Sequence, residues 1–400
     1  MKNKIFHLTF SNSGGAGKVA SSLSEEMNSQ KYDSTLLFKM KERSAWNIVK
    51  NAKALFLSSI DNYVIKRNSK LPFFSLLRSY VGYKKIQKII VEGSLVHIHW
   101  IPGLVNFKDL EKIKEKKAKF VVTLHDMWFF TGGCHYSNGC NQFVTGCRAC
   151  PMVRDIFKPL VAKEYDKKKQ FFANFQSCKI TSPSQSLLDN ASKSKVFVKN
   201  ELHLIPNPIS NGIIFKGSAR SARKISKIDE ASFVIGFVAV NINDPNKNLE
   251  DAFTAVKDLV SHHPEKKIEF IIVGGGFNQN LTKYSFVRQI GPVHDIDTLS
   301  AYYASFDVLL LTSREENSPL VAIEALANNV YVITSDSGGT KELIKTSRNG
   351  SIYTDVRNLS KTLIRCFDSG VYKDVRFENK NNYLLPNVSK KYLDLYAKFE

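Results

Sequence analysis

Arg314-Glu315-Glu316-Asn317-Ser318-Pro319-Leu320-Val321-Ala322-Ile323-Glu324-Ala325-Leu326-Ala327 is the stretch that decides how this chain is read. An apolar strand, Phe306 to Leu311, runs straight into it, and Ser318 to Ala327 reads as an apolar helix. A strand that turns directly into a helix sets Glu316 and a row of backbone N–H groups at the carboxyl edge of a parallel sheet. Open α/β sheets bind ligands at that edge, and a helix N-terminus favours an anion. Glu324 is expected two turns further along the same helix, so two carboxylates flank seven residues.

Strand and helix signals alternate on both sides of this segment. The first half opens with a strand at Lys4–Phe10, a glycine turn at Ser13-Gly14-Gly15-Ala16-Gly17 and a helix from about Lys18 to Met27. Further strands are expected at Ser34–Phe38, Leu95–His99, Phe120–Leu124, Lys179–Thr181 and Leu202–Ile205. A second series follows with strands at Phe233–Val240, Ile268–Val273, Phe306–Leu311, Val330–Thr334 and Ser351–Tyr353. Strands separated by helical patterns of this length argue for parallel sheets. The polar, basic segment 211–231 reads as a linker. The expected division is therefore a first domain over 1–210, a second over 232–384, and a C-terminal helix over 385–400 that packs back on the first domain.

Four hundred residues, 43% of them hydrophobic, suffice for two domains with separate cores. No stretch reaches the roughly 18 apolar residues of a membrane span, and the first ten residues read as a strand, so a cytoplasmic chain is expected. The net charge of +20 is one-sided. Residues 1–200 hold 33 Lys and Arg against 14 Asp and Glu, whereas residues 201–400 hold 24 against 23. Between residues 51 and 90, Lys66, Arg67, Lys70, Arg78, Lys84, Lys85 and Lys88 interleave with aromatic and aliphatic residues, a mixture that suits helices lying in an anionic membrane surface.

Several motifs point to chemistry. The glycines at 14, 15 and 17 lack the G-x-G-x-x-G spacing, and no acidic residue ends the second strand, which argues against a dinucleotide cofactor. His125 and Asp126 in Val122-Thr123-Leu124-His125-Asp126-Met127-Trp128 fall at a strand end. His97 and His99 are read as facing opposite sides of a strand, hence as packing and hydrogen-bonding residues. Lys247, at the start of a helix after Phe233–Val240, is placed to neutralise a diphosphate. Cys134, Cys140, Cys147 and Cys150 form C-x5-C-x6-C-x2-C, with His135 as a substitute ligand, and in a reducing compartment this spacing suggests a structural zinc. Buried thiols, an iron–sulfur cluster and disulfides are the alternatives.

The run Glu316 to Ala327 resembles the E-x7-E element and E-A-L-A helix of retaining family 4 glycosyltransferases. Other matches come in the family's order: Gly14-Gly15-Ala16, the strand-end His125, Lys247 of the R…K-G element, Thr181-Ser182-Pro183-Ser184, Ile205-Pro206-Asn207-Pro208, Val273-Gly274-Gly275-Gly276, Gly291-Pro292-Val293 and Ser337-Gly338-Gly339-Thr340-Lys341-Glu342. Departures occur where Asn241, Asn243 and Asn246 stand near the usual Arg, where Asn248 replaces Gly, and where Asn328-Asn329 precede the next strand. The segment from Thr123 to Pro151 is similar to a subgroup from polysaccharide gene clusters, including capsule and lipopolysaccharide.

The resemblance implies a GT-B fold, two Rossmann-like parallel-sheet domains facing across a cleft. It implies a retaining transfer of a hexosyl group from a nucleotide-diphosphate sugar to a lipid-linked saccharide on the inner face of the cytoplasmic membrane, with no cofactor for the chemistry. By the family's pattern Glu316 and His125 meet the donor sugar, Glu324 the ribose, and Gly14, Gly15, Lys247, Ser318 and Leu320 the rest of the donor. A nucleotide-sugar epimerase on the same architecture would not need the basic first half. A zinc-bearing nucleic-acid-binding protein would account for the charge and the cysteines but not for the E-x7-E and glycine elements, so no nucleic-acid partner is expected.

Overall fold

The computed structural model describes residues 4–39, 74–76 and 83–399, so most of the basic segment 51–90 lies outside the described residues. The chain divides into two compact units: residues 1–206 with 386–400, and residues 207–385.

The first unit is built on β1 (Ile5–Leu8), α1 (Gly14–Ser29), β2 (Ser34–Leu37), α2 (Tyr83–Ile89), β3 (Leu95–Ile98), α3 (Phe107–Lys114), β4 (Lys119–Thr123), α4 (Lys158–Ala173), β5 (Cys178–Ser182), α5 (Gln185–Lys193) and β6 (Leu202–Leu204). Its six strands are all parallel, in the order β2-β1-β3-β4-β5-β6. β1 and β3 are buried at every position, as strands covered on both faces must be. α1 begins at Gly14 rather than near Lys18, so the glycines are the first turn of the helix and not a loop before it. They divide the work. A Cβ at Gly17 would lie 2.4 Å from the Ser11 carbonyl oxygen, so the helix can close on its loop only without a side chain there, while Gly15 faces open space.

The second unit follows with α6 (Ala219–Ile225), β7 (Phe233–Asn241), α7 (Leu249–His262), β8 (Ile268–Gly275), β9 (Val287–Gly291), α8 (Ile296–Ser305), β10 (Val308–Leu311), α9 (Leu320–Ala327), β11 (Tyr331–Ser335), β12 (Gly350–Tyr353) and α10 (Val356–Ser369). The order is β12-β11-β10-β7-β8-β9, again all parallel. β9 is absent from the sequence reading because it is a half-buried edge strand with no strong apolar alternation.

Residues 211–231 are not a linker. Ile213 and Ile228 are buried in the second unit's core, the Asn328 side chain bonds the Ile213 carbonyl at 2.9 Å and the Phe215 N–H at 2.9 Å, and Arg223 of α6 pairs with Asp307 at 2.7 Å. The polar composition that suggested a linker belongs to the outer face of this layer. The last helix, α11 (Leu385–Ala397), packs in the first unit, where Tyr392 and Tyr396 are buried and their hydroxyls reach Thr123 Oγ1 at 3.0 Å and His97 Nδ1 at 2.6 Å. No helix among the described residues is long and apolar enough to cross a membrane.

Candidate functional site

Strand order places the site of the second unit. β7 is followed by a strand on one side and β10 begins the run on the other, so the connections diverge between them, and an open α/β sheet binds ligands at that switch point. Lys247 comes from the loop after β7, and Glu316 from the loop after β10.

The two loops are tied at the backbone. Asn246 Nδ2 donates to the Glu315 carbonyl at 3.0 Å, its Oδ1 accepts the Glu315 N–H at 3.2 Å, and its own carbonyl accepts the Arg314 N–H at 2.8 Å. Thr312 Oγ1 adds bonds of 2.9 Å to the carbonyls of both Lys247 and Asn248. Asn248 sits in the left-handed region, φ +54°, which explains how it stands where the family has Gly. Asn329 does the same at φ +60°.

On this frame Lys247 Nζ forms an ion pair with Glu316 Oε1, and the carboxylate is 9% exposed. The Ser337–Gly339 loop closes over the Glu316 backbone, where Gly339 N–H bonds its carbonyl at 3.0 Å and a Cβ at Gly338 would lie 1.9 Å from that oxygen. Glu316 is not on the helix: α9 starts at Leu320 behind the Pro319 cap, so the two carboxylates are split between a loop and the helix's second turn. Glu324 is buried, accepting from the Tyr303 hydroxyl at 2.9 Å and Ser210 Oγ at 3.5 Å. The Ser318 carbonyl takes a 3.0 Å bond from Asn207 Nδ2, and Leu320 opens the helix. A D-x-D spacing at Asp295-Ile296-Asp297 serves as a cap, since Asp295 accepts from the Thr298 N–H at 2.8 Å.

In the first unit the switch point lies between β1 and β3. Gly14, φ +75°, and Gly15 follow β1 there. His7 of β1 is the register partner of His97 in β3, and both rings lie against His99, His7 stacked at a ring-centroid distance of 5.4 Å and His97 tilted at 4.1 Å. Reading His97 and His99 as facing opposite sides is thus wrong, because residues two apart in a strand share a face. His99 Nδ1 lies 3.0 Å from Nε2 of His125, which is the half-buried member of the group. Burial pushes His7 down to about 3 and His125 down to about 4, and lowers His97 and His99 as well.

The loop after His125 is anchored by Asp126. Its carboxylate accepts from Trp100 Nε1 at 2.9 Å and the Trp128 N–H at 2.8 Å, and it contacts His135 Nδ1 at 2.6 Å. Burial works against that charge, but His135 and the hydrogen bonds hold the carboxyl below its ordinary value. His135 Nε2 meets Ser75 Oγ at 2.9 Å, so both ring nitrogens have hydrogen-bond partners. Lys168, buried in α4, donates to the Trp128 and Thr131 carbonyls and lies 3.9 Å from the Trp128 ring centre.

The four clustered cysteines are free thiols of this loop. Cys134 and Cys150 hydrogen-bond each other; Cys147 Sγ accepts the Gly132 N–H at 3.2 Å, and Cys140 Sγ the Gln142 N–H at 3.5 Å. Among the described residues, the ligand atoms that gather three at a time within 4.8 Å belong to His7, His97 and His99 rather than to the cysteines. Four thiols within one loop are a donor set that suits zinc; without an ion the Cys134 bond and the Met152 and Val153 N–H groups draw Cys150 down to about 6, whereas burial raises Cys140 and pushes Cys147 up to about 11, and Cys134 is raised by its bond to Cys150 and by burial.

Residues 232–369 match the family described as Glycosyl transferases group 1. The putative colanic acid biosynthesis glycosyl transferase WcaC of Escherichia coli (strain K12) is 25% identical over 271 residues, covering 65% of this chain and 62% of WcaC. The chain thus spans less than two thirds of the curated relatives it matches. Two solved structures overlay nearly its whole length: HepE of Anabaena in complex with UDP-glucose, with a TM-score of 0.67, 14% identity and 99% of both chains covered, and sucrose-phosphate synthase from Thermosynechococcus elongatus, with a TM-score of 0.66, 15% identity and 99% and 98% covered. The fold is GT-B. GT-B architecture accounts for the paired six-stranded sheets and for a switch point in each unit.

Sequence reasoning missed Asn246 as the tie between loops, Tyr303 and Asn207 as supports, and His7. Only His7 had a usable signal: histidines at matching positions of two buried strands, Ile5-Phe6-His7-Leu8 and Leu95-Val96-His97-Ile98.

The histidine group predicts acid sensitivity. A histidine of the unfolded chain takes up a proton near pH 6.5, whereas folded His7 and His125 resist until about 3 and about 4. Between those limits the unfolded state binds more protons, so their contribution is intact above pH 6.5 and lost as pH falls, by about 1.4 kcal/mol per pH unit for each histidine. Urea melts at pH 7 and pH 5 should show the parent losing about 2 kcal/mol more than His7→Leu. Equal losses would show that His7 does not resist protonation in the fold.

Proposed function

We propose that the chain is a retaining glycosyltransferase that moves a hexosyl group from a nucleotide-diphosphate sugar to a lipid-linked saccharide in cell-surface polysaccharide biosynthesis. The observation that carries this reading is the Lys247–Glu316 pair at the switch point of the second sheet, with the helix bearing Glu324 starting four residues on. The bound UDP-glucose of HepE supports the donor class, and WcaC supports the polysaccharide setting.

The chemistry follows from charge. The bond from the sugar's anomeric carbon to the diphosphate breaks, the acceptor oxygen bonds that carbon, and the nucleoside diphosphate leaves with the acceptor's proton. Negative charge grows on the departing phosphate, where the Lys247 ammonium and the N–H groups at the start of α9 stabilise it more than they stabilise the bound donor. Glu316 is assigned to the sugar hydroxyls. Glu324 is assigned to the ribose, with the Tyr303 hydroxyl on Oε2 and Ser210 Oγ on Oε1 holding its carboxylate in place. His125 is assigned to the donor sugar, Gly14 and Gly15 to the close approach of backbone to ligand, and Ser318 and Leu320 to the phosphate end. No metal is required in this scheme. The excess of basic residues in the first half supports attachment to an anionic membrane surface on the cytoplasmic side. A zinc held by Cys134, Cys140, Cys147 and Cys150 would supply a closed crosslink to the loop after His125 and take no part in the reaction.

Four measurements test these assignments. Incubated with a panel of nucleotide sugars, the protein should slowly release nucleoside diphosphate from one donor class. Glu324→Ala should weaken donor binding by about 1–3 kcal/mol and Glu316→Ala should mainly lower turnover; parent-like kinetics in both variants would remove the site. Sedimentation should be strong with anionic vesicles at low salt and weak with neutral ones, since each basic group near the surface is worth about 1 kcal/mol, and equal sedimentation would count against membrane attachment. Metal analysis should find about one zinc per chain, lost together with thermal stability in Cys147→Ser; metal-free reduced protein and an unchanged melting temperature would leave the cysteines as ordinary thiols.

A further inference from the structure

The cation that the functional reading offers to the departing phosphate already has a counter-ion. Lys247 Nζ is paired with Glu316 Oε1, and among the described residues neither group has another ion-pair partner. The lysine side chain keeps 27% of its surface and the carboxylate side chain 9%, so the lysine is the more open of the two. Backbone bonds keep the pair together. Asn246 bridges to Arg314 and Glu315, Thr312 Oγ1 holds the Lys247 carbonyl, and the Gly339 N–H holds that of Glu316. Side-chain rotation can part the charges, but each stays within the other's field, which water and salt screen far less between partly buried groups.

A nucleotide sugar and the nucleoside diphosphate it becomes meet this pair differently. Both bring diphosphate oxygens to Lys247, and with them negative charge up to the Glu316 carboxylate. The sugar compensates, because its hydroxyls donate to a carboxylate that can only accept, and such charge-assisted bonds are roughly twice as strong as neutral ones. The bare diphosphate has no sugar hydroxyl to give there. Its terminal phosphate also carries about one more negative charge at neutral pH, since the second pKa of such a phosphate is about 6. For that ligand Glu316 is both a buried like charge and a competitor for the ammonium, a repulsive element of the kind by which sites discriminate between ligands.

We propose that Glu316 is a specificity-determining residue that turns the site against the nucleoside diphosphate product: once the sugar has left, the carboxylate takes Lys247 back and the product is released. The pairing of Glu316 with sugar hydroxyls rests on the glycosyl-transfer reading; the competition between carboxylate and diphosphate for Lys247 rests on the ion pair itself. The simpler account is a pair that only steadies two loops. Asn246, Thr312 and Gly339 already do so with backbone bonds, and uncharged side chains of the same shape would do it without desolvating two charges.

The test is calorimetric binding of UDP, dTDP, ADP and GDP to the full chain, in the parent, Glu316→Gln and Lys247→Met, with melting temperatures as the check on folding. Glu316→Gln keeps the shape of the side chain and removes its charge, so it should bind the diphosphate that the parent accepts about tenfold more tightly, through relief of a like charge. Lys247→Met should bind that diphosphate less tightly than the parent. A gain of affinity is not an effect that damage to the fold produces, which separates this role from a structural one. Equal or weaker binding by folded Glu316→Gln overturns the proposal and leaves the glycosyl-transfer reading standing. Parent-like binding by Lys247→Met places the diphosphate elsewhere and overturns it as well. Should Glu316→Gln fail to fold, Glu316→Ser carries the same expectation, and failure of both makes the carboxylate a structural counter-ion and overturns the proposal too. If parent and folded variant bind none of the four diphosphates, the glycosyl-transfer reading and the proposal fall together. Tighter binding by Glu316→Gln, in a chain whose parent consumes no nucleotide sugar, removes that reading and leaves the competition for Lys247 in place.

Discussion

The side chain of Asn246 holds the backbone of Glu315 by its N–H and its carbonyl at once, and the second unit's site depends on that clamp. Two loops leaving neighbouring parallel strands have no obligatory bonds to each other, because the ladder ends with the strands. A single amide, with one donor end and one acceptor end, extends the pairing past the sheet by two bonds. Lys247 follows Asn246 and Glu316 follows Glu315, so the clamp sets the ammonium against the carboxylate with little freedom left to either. With its carboxylate buried, the pair's attraction is largely offset by the desolvation of its two charges, so it contributes modest stability by itself. Its geometry is fixed by the backbone, which leaves its charges available to a ligand rather than committed to holding the fold.

The first unit solves the same placement problem with buried polar side chains. His125 is held from within by His99 and His7, and from the loop side by its neighbour Asp126, whose carboxylate gathers Trp100, Trp128 and His135. Each buried polar group left without a partner would cost about 1–3 kcal/mol, so a network of this size persists because its members satisfy one another at nearly every atom, His7 Nε2 being an exception. α11 belongs to it: Tyr396 and Tyr392 bring hydroxyls to His97 and Thr123, and the end of the chain thereby sets residues at the centre of the sheet.

Much of this was legible in the sequence, for identifiable reasons. Strands buried on both faces, such as β3, β8, β10 and β11, read as apolar runs; of the edge strands β9 alone escapes, half-buried at every position and interrupted by Arg288 and Gln289. The E-x7-E run identified the edge where the second unit's charges gather and the turn that holds Glu316, yet not that Pro319 delays the helix start from Ser318 to Leu320. Segment 211–231 reads as a linker because Ile213 and Arg223 act through partners more than 70 residues away in the chain, Asn328 and Asp307. Asn246 was invisible as a clamp for the same reason: an asparagine in a loop has no pattern, and its value lies entirely in which backbone it meets. The histidines of β1 and β3 did carry a pattern, matching positions on paired strands, but it has meaning only once the strand order is known.

Lys168 shows how the two halves of the His125 environment are joined. Burial pushes its ammonium down to about 7, so the fold keeps this lysine against the tendency of the interior to discharge it. Its hydrogen bonds go to the carbonyls of Trp128 and Thr131, and its charge faces the Trp128 ring. Those atoms bracket the turn between His125 and the first cysteine. A methionine of similar length would fill the space but leave two carbonyls short of donors. The loop that carries the cysteines is thus fixed to α4 at its beginning by a cation, and at Gly132 by contact close enough that a Cβ there would lie 2.3 Å from Val161. With its start pinned in this way, a crosslink among the cysteines further on can stiffen the loop without displacing His125, and the imidazole's orientation remains governed by the rings behind it.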